Sequence, residues 1–272
     1  PYVCIGFGAT STRHGTRIDI EFDDFEAHFG GATPLPVAPR PSATPLAVRA
    51  TDVVLAVGAP DAWDAESVYN PSVLKRGDHY EMWYAADPPQ GSWYDSSIGL
   101  AYSDDGITWR KYERNPVLVH GGAPCVLYGD WRDGHGPYYK MWYRHFEPSH
   151  SRDRGPRKRL GYATSGDGVY WTKHGVIAGK RFEDGFGGGI TSPSVVYLPN
   201  RPDVPAPYML YHYDDGDRVR LALSEDGIAW RPHGIVLQPT GPGGWDNFKV
   251  ADGHVLYVGG KFHMFYAGYG RD

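Results

Sequence analysis

The sequence has little of what marks several common protein classes. Its two cysteines, Cys4 and Cys125, are too few and too far apart for a disulfide framework or a metal site, so we expect two unpaired thiols. No run of about 18 apolar residues is present, so no membrane span is expected. The start, PYVCIGFGAT, lacks the regions of a signal peptide, and it also lacks an initiator Met, as in a processed chain or a fragment.

The chain also has no large excess of positive or negative charge. The formal net charge is −5 with a pI near 6.2, which argues against nucleic-acid binding as the main role. We expect a soluble protein, cytoplasmic or secreted, and the sequence does not indicate its oligomeric state. Helical periodicity is nearly absent, whereas the 36 Gly, 23 Pro and 20 Tyr are typical of a chain of strands joined by many turns.

One sequence pattern occurs three times. An apolar strand runs into Ser-x-Asp-Gly, and a Trp follows shortly after. The Asp-Gly pair suits a tight turn that needs a positive φ, so we predict structural roles for the three aspartates and place each Trp on the strand after the turn. The three copies are IGLAYSDDGITWRKY (98–112), LGYATSGDGVYWTKH (160–174) and VRLALSEDGIAWRPH (219–233).

Two further pieces recur ahead of each copy. One is an aromatic strand that begins at Tyr80, Tyr139, Tyr208 and Phe262, and the other covers 68–74, 122–128, 191–197 and 250–256. A period of about 60 residues with four short strands per repeat predicts the blades of a β-propeller.

The repeats divide the chain into blades of a single domain, 1–272. Either the two terminal pieces complete one blade together, or the chain is part of a longer ring. The segment 30–48 reads as an extended linker. Whole blades are expected at about 52–118, 119–181 and 182–240, with half-blades at 241–272 and 1–29.

Propeller geometry predicts which polar residues meet. The first strand of each blade lines the central channel, so equivalent residues at the starts of these strands form a ring. Asp252 is the acidic member of this ring and is a catalytic candidate. The four aligned residues are Asn70, Ala123, Ser192 and Asp252.

Other candidates lie at the blade entrances. Asp64 and Asp246 each follow a Trp, and each either fixes a loop by a hydrogen bond or lies at the pocket rim, where Asp64 is a catalytic candidate and Asp246 a binding candidate. Asp184 is the nearest acid in the third blade. Glu66 has Phe248 as its counterpart in the last blade, and this break in the repeat makes Glu66 a catalytic candidate.

The ends of the second strands and the loops after them offer the remaining candidates. Glu147 is a further catalytic candidate, and a His in such a place is either a satisfied polar group or a base. Trp93 and Tyr94 suit stacking on a sugar, or they anchor their loop. The basic segment 147–159 is either a solvated face or a phosphate-binding loop. The other binding candidates here are His145, His212 and Asp214.

Taken together, the motifs NPSVL, YEMWYAA, IGLAYSDDGITW and NPVL resemble those of the five-bladed propeller glycoside hydrolases over about residues 52–272. These comprise the arabinanase and xylosidase group (family 43), the invertase and levanase group (family 32) and the mannoside phosphorylases (family 130). The resemblance implies an all-β five-bladed β-propeller with four-stranded antiparallel blades around a central axis. It also implies a pocket on that axis where three carboxylates surround a sugar. The Asp-boxes of the six-bladed sialidases have one more residue between Asp and Gly, which disfavours that family.

The resemblance and the residues together predict a glycosidase. Such an enzyme cleaves an oligosaccharide with one carboxyl acid and one carboxylate. At the ring, however, Asn70, Ala123 and Ser192 stand where the family shows carboxylates. A non-hydrolytic propeller, such as a carbohydrate-binding module, and a glycoside phosphorylase therefore stay open as alternatives. No cofactor is expected and no metal site is predicted, although the resemblance allows a structural ion on the axis.

Overall fold

The computed structural model describes residues 53–91, 94–147, 157–179, 185–214 and 216–271, and the backbone of one strand at Phe22–Phe25. In this part of the chain every regular element is a strand, and no helix is long and apolar enough to cross a membrane. The strands are β1 (Phe22–Phe25), β2 (Ser67–Arg76), β3 (His79–Asp87), β4 (Ser97–Ser103), β5 (Arg110–Lys111), β6 (Gly121–Asp130), β7 (Pro137–Glu147), β8 (Arg157–Ser165), β9 (Thr172–Ala178), β10 (Thr191–Tyr197), β11 (Tyr208–Tyr213), β12 (Val219–Ser224), β13 (Arg231–Leu237), β14 (Lys249–Val258) and β15 (Lys261–Tyr269).

The strands form separate antiparallel sheets in chain order. Blade 1 is β2-β3-β4-β5, blade 2 is β6-β7-β8-β9 and blade 3 is β10-β11-β12-β13. These three sheets lie within the segments predicted as blades from the repeats. The all-β class with four-stranded antiparallel blades is confirmed, whereas the number of five blades stays a prediction.

Blade 4 combines strands from both ends of the chain. Its first two strands are β14 and β15, and β1 pairs antiparallel with β15, with Phe22 opposite Phe265. The strand expected at 4–15 lies outside the described residues. The arrangement corresponds to the alternative in which both termini contribute to one blade.

The first strand of each blade lies on the inside. β2 packs beside β6, β6 beside β10 and β10 beside β14. Within the described residues, β14 and β2 do not pack together to the same extent. The four inner strands therefore form an arc around a common axis, and their upstream ends lie together on one side of it.

A repeated hydrogen bond joins each inner strand to the next. The Ser72 Oγ accepts the Val126 amide at 3.0 Å, and the Ser194 Oγ accepts the Val255 amide at 2.9 Å. Between blades 2 and 3 the Cys125 Sγ takes the same place. Each bond satisfies a buried amide that has no ladder partner, so it fixes the spacing of neighbouring blades at the axis.

The Ser-x-Asp-Gly turns have the structural role predicted for them. In blade 1 the Asp105 Oδ1 accepts the amides of Ile107 and Thr108 at 2.8 and 2.7 Å, and Gly106 has a φ of 77°. Hydrogen bonds from the Thr108 and Ile107 amides hold the pKa of Asp105 well below its usual range.

The Trp of this motif lies in the turn, one residue before the strand on which it was predicted to lie. Trp109 precedes β5 and so belongs to the turn, where its Nε1 donates to the Gly106 carbonyl at 3.1 Å. Trp171 precedes β9 in the same way and packs edge-on against Trp83 of blade 1, with ring centroids 6.2 Å apart. The turn thus supplies the aromatic contact between blades.

Candidate active site

The inner strands share a backbone irregularity at the predicted ring position. A bulge interrupts the pairing of β2 with β3 between Tyr69 and Ser72, and the other three inner strands have a bulge at the equivalent place. At each bulge one non-glycine residue adopts a left-handed conformation. The φ values are 45° for Asn70, 45° for Ala123, 48° for Ser192 and 51° for Asp252. We call these four residues the axial ring.

This conformation costs free energy in every blade. A left-handed non-glycine residue costs about 1–2 kcal/mol, and Ala gains nothing from its side chain in return. In three blades a Pro follows the ring residue, which removes one amide that the bulge would leave unpaired. Strained residues of this kind cluster at functional sites, so the axial ring is the part of the fold to examine for a ligand site.

The ring brings two of the predicted residues into contact. The Ser192 Oγ donates to the Asp252 Oδ1, across blades 3 and 4. Ser192 is buried and Asp252 is exposed. Burial and the charge of Asp252 raise the pKa of Tyr269. Asp252 is therefore a carboxylate that a hydroxyl orients and that a ligand can reach.

A second carboxylate near the ring was not among the predicted site residues. Asp87 ends β3, and its side chain accepts three hydroxyl hydrogen bonds. Ser67 donates to Oδ2 at 2.7 Å, while Tyr69 and Ser96 donate to Oδ1 at 2.9 and 2.7 Å. Tyr69 directly precedes the ring residue Asn70 in β2. We call Asp87, Ser67, Tyr69 and Ser96 the Asp87 cluster.

An arginine of blade 2 contacts this cluster. The Arg144 Nη2 donates to the Tyr69 hydroxyl at 3.2 Å, and the guanidinium lies 4.8 Å from the ring centroid of Phe146. Burial raises the pKa of Tyr69 to about 12, with Arg144 acting to lower it and Asp87 to raise it. A side chain at Gly122 would clash with Arg144, since a Cβ there would lie 2.7 Å from Nη2. Gly122 therefore makes room for the cation.

Asp64 and Asp246 have the environments of structural carboxylates. Asp64 is buried and pairs with the Lys111 Nζ at 2.6 Å, and the Tyr84 hydroxyl donates to it at 3.3 Å. In blade 4 the Tyr266 hydroxyl donates to the buried Asp246 at 3.2 Å. These contacts favour the alternative in which each aspartate fixes the loop into its blade.

The side chains of Asp214 and His212 also make contacts that stabilise blade 3. The Asp214 carboxylate is buried, caps the turn after β11 by accepting the Gly216 amide at 2.8 Å, and pairs with Arg220. His212 is buried and packs against Phe186, with ring centroids 5.6 Å apart. In the pairing of β10 with β11, His212 lies opposite the bulge that contains Ser192.

Three further predicted residues lie outside the ring itself. Glu66 is exposed just before β2, and its amide donates to the Asp87 carbonyl at 3.2 Å. His145 is half-buried with its ring 6.1 Å from that of Tyr143. Tyr94 packs edge-on against Phe146 at 5.6 Å, which corresponds to the loop-anchor alternative.

The remaining predicted residues cannot be placed. Trp93 and Asp184 lie outside the described residues, as does most of the basic segment 147–159, and the side chain of Glu147 is not described. Their roles stay predictions. Within the described ranges, no group of three or more His, Cys, Asp or Glu residues is arranged to hold a metal ion.

Comparison with known sequences gives distant relatives. No family model matches the chain. An uncharacterized protein of Mycobacterium tuberculosis is 27% identical over 232 residues, which cover 80% of this chain and 73% of the relative. A beta-1,2-mannobiose phosphorylase of Thermoanaerobacter sp. (strain X514) is 32% identical over 77 residues, a quarter of each chain.

Solved structures share the fold. A glycosyl hydrolase from Bacteroides ovatus superposes with a TM-score of 0.55 at 22% identity, covering 77% of this chain and 62% of that chain. A structure from work on the GH130 family of mannoside phosphorylases, described as containing glycoside hydrolases that target β-1,2 mannosidic linkages in Candida mannan, gives 0.53 at 23% identity, covering 76% and 61%. The chain thus spans about three-fifths of the length of these structures. The resemblance to propeller glycoside hydrolases is confirmed at the level of the fold.

Proposed function

We propose that this protein is an enzyme that cleaves a glycosidic bond, with the sugar bound at the axial ring. The observation that carries the proposal is Asp252, an exposed carboxylate held at a strained ring position and hydrogen-bonded to Ser192. The Asp87 cluster beside the same ring supplies a second carboxylate. Uncharged polar groups at the ring, such as Asn70, suit recognition of sugar hydroxyls.

The reaction needs one carboxyl acid and one carboxylate base. In hydrolysis, the acid gives its proton to the glycosidic oxygen while the bond from that oxygen to the anomeric carbon breaks. The base takes a proton from a water whose oxygen bonds to the anomeric carbon. The proposal assigns these two roles to Asp252 and Asp87, and it invokes no metal or cofactor.

The first substrates to test are manno-oligosaccharides. This choice rests on the mannoside activities in the names of the similar phosphorylase and the similar solved structure. The ring residues Asn70, Ala123 and Ser192 are uncharged, which suits a neutral sugar. The substrate class proposed is therefore a neutral β-1,2-linked mannoside.

Phosphorolysis is the second candidate reaction. The similar Thermoanaerobacter enzyme is named as a phosphorylase. In that reaction an oxygen of inorganic phosphate, in place of water, bonds to the anomeric carbon, and a sugar phosphate leaves in place of a free sugar. The two candidates therefore differ in one product.

The test is turnover of β-1,2-mannobiose and a panel of aryl glycosides, with and without inorganic phosphate. Free sugar and sugar phosphate are measured separately. D252N and D87N are each expected to lose about 10²–10⁴-fold in kcat/KM, since each removes one acid–base group. The matched control is D104N, which makes the same change at an exposed aspartate of a turn. D104N is expected to retain the wild-type rate.

Three outcomes would contradict the proposal. Wild-type rates in D252N or D87N would remove that residue from the mechanism. Equal losses in D104N would show a general effect of the lost charge. Tight sugar binding without turnover, in the presence or absence of phosphate, would support the carbohydrate-binding alternative instead.

A further inference from the structure

A lysine and a carboxylate lie together where the loop between β11 and β12 meets the start of β14. The Lys249 Nζ is 3.8 Å from the Asp217 Oδ1. The Val250 amide donates to the Asp217 carbonyl at 3.3 Å, which fastens this loop of blade 3 to the inner strand of blade 4. The Tyr213 hydroxyl donates to the Asp217 Oδ1 at 2.8 Å and so orients the carboxylate. We call Lys249 and Asp217 the Lys249 pair.

Two tyrosine rings hold the ammonium of this pair. Its nitrogen lies 4.8 Å from the ring centroid of Tyr213 and 5.2 Å from that of Tyr269. Tyr269 is directly opposite Lys249 in the pairing of β14 with β15, so the two side chains are on the same face of the sheet. An ammonium is attracted to aromatic faces, which limits the positions that a flexible lysine samples. The charge is therefore presented at a defined place.

The pair has hydrogen-bonding capacity that the described residues do not use. A separation of 3.8 Å is too long for a direct hydrogen bond between the ammonium and the carboxylate. Among the described residues, Tyr213 is the one side chain that donates a hydrogen bond to the Asp217 carboxylate, and none accepts one from the Lys249 ammonium. The side chains are 28% exposed for Lys249 and 37% for Asp217, so a ligand can reach both.

The pair lies at the same end of the inner strands as the axial ring. Lys249 is three residues before Asp252 on β14, which is about 10 Å along an extended strand. The repeat supports this placement. Ser67 of the Asp87 cluster has the corresponding position in blade 1, three residues before the ring residue of that blade. Lys249 in blade 4 and Ser67 in blade 1 therefore occupy equivalent places around the axis.

The opposite charges of the pair favour a neutral ligand with hydroxyl groups. An anion such as phosphate would be attracted by Lys249 but repelled by Asp217, and a cation would meet the reverse balance. A sugar hydroxyl uses both groups, because it accepts a hydrogen bond from the ammonium and donates one to the carboxylate. The gap of 3.8 Å between them can be bridged by one oxygen with two hydrogen bonds of ordinary length.

We propose that the Lys249 pair binds the leaving sugar of the substrate, while the sugar that carries the reacting anomeric carbon lies at the axial ring. This assignment rests on the proposed function and adds the residues that bind the second sugar. One hydroxyl of the leaving sugar accepts a hydrogen bond from the Lys249 Nζ and donates one to the Asp217 carboxylate. The pair acts in binding and takes no part in proton transfer.

The test compares the affinities for β-1,2-mannobiose and mannose, measured by titration calorimetry in D252N, in which turnover of the disaccharide is expected to be slow. Adding K249M removes the ammonium but keeps an unbranched stem beside the two rings. Mannobiose is then expected to bind about 10–100-fold more weakly, the effect of one hydrogen bond to a charged group. Mannose, which is expected to bind at the ring alone, should keep its affinity within about twofold.

A second variant and a matched control accompany K249M in the same D252N protein. D217N suits the loop, because Asn tolerates the left-handed φ of 62° at this position. Its uncharged amide still meets a hydroxyl, so a smaller loss of about 3–10-fold is expected for mannobiose. The control is K261M, the same change at an exposed lysine at the other end of the β14–β15 pair. K261M is expected to bind both sugars as D252N does. Thermal unfolding identifies any variant that does not fold, and D217N carries the comparison if K249M fails.

Three outcomes of the titrations would overturn the inference. One is equal affinity for mannobiose in the K249M and K261M proteins. Another is a loss for mannose as large as that for mannobiose, because Lys249 would then act on the sugar at the ring. The third is no saturable binding of mannobiose by D252N.

Turnover by the wild type keeps this inference separate from the proposed function. Turnover of mannobiose, together with equal affinities in the K249M and K261M proteins, would overturn the inference alone. Binding of mannobiose that depends on Lys249, without turnover by the wild type, would overturn the proposed function alone.

Discussion

The hydrogen bonds between inner strands give a sharp test of the architecture. Ser194 and Val255 are both buried, and the Val255 amide donates to the Ser194 Oγ at 2.9 Å. S194A removes the acceptor but leaves the amide in place. A buried donor without a partner costs about 1–3 kcal/mol. We therefore expect the free energy of unfolding to fall by that amount.

The same position in the other blades supplies matched variants. S72A removes the equivalent bond to Val126, which is also buried, so a similar loss is expected. C125S replaces a weak sulfur acceptor by the hydroxyl that blades 1 and 3 use, so its free energy of unfolding is expected to stay within about 1 kcal/mol of wild type.

Urea unfolding followed by tryptophan fluorescence measures these differences. A loss below about 0.5 kcal/mol in both S194A and S72A is the size of an ordinary surface substitution. That result would refute the account of how neighbouring blades are joined. A large loss in C125S with none in S194A would contradict it equally.

Three further changes are predicted. K111M leaves the buried Asp64 without its cation, so we expect a loss of about 3 kcal/mol in urea unfolding, and a loss under 1 kcal/mol would contradict the structural role of that carboxylate. Burial would raise the pKa of Asp226, but hydrogen bonds from the Ala229 and Ile228 amides outweigh it and the pKa is lowered. Its stabilisation is therefore present above the unfolded pKa of about 3.9 and lost as pH falls below it, and D226N is expected to weaken the acid dependence of Tm. Burial lowers the pKa of Lys140, so the wild type is expected to gain stability as pH rises toward the unfolded pKa of about 10.4, and K140M is expected to lack that gain.

The fold and the axial ring could be predicted from the sequence because both follow from its repeats. Aligning four copies placed Asn70 and Asp252 at one position, and the shared bulge and left-handed φ confirm that alignment. The turn aspartates were predictable for the same reason, since Ser-x-Asp-Gly leaves few ways to satisfy the turn amides. The prediction that Trp109 lies on the outer strand was wrong by one residue, because that strand begins at Arg110, after the turn ends.

The repeats place Asp87 at the end of a second strand, but they do not show which side chains contact it. The members of the Asp87 cluster come from three separate pieces of blade 1, and Arg144 reaches it from blade 2. Nothing in the alternation of β2 shows that Tyr69 contacts the end of β3. A usable signal was the acid at the end of YEMWYAAD, whose counterpart in the second blade is Phe146 or Glu147, depending on the alignment. Conversely, two roles stayed open for Asp64 because the sequence does not show that Lys111 and Tyr84 contact its carboxylate.

The most direct test of the central claim is a crystal structure of D252N with β-1,2-mannobiose bound. The account predicts the sugar over the axial ring, with its glycosidic oxygen within about 3 Å of an Asp87 carboxyl oxygen. A sugar bound away from the ring would contradict it. One such place is the crevice of about 550 Å³ formed by the loop between β10 and β11, at the opposite end of blade 3.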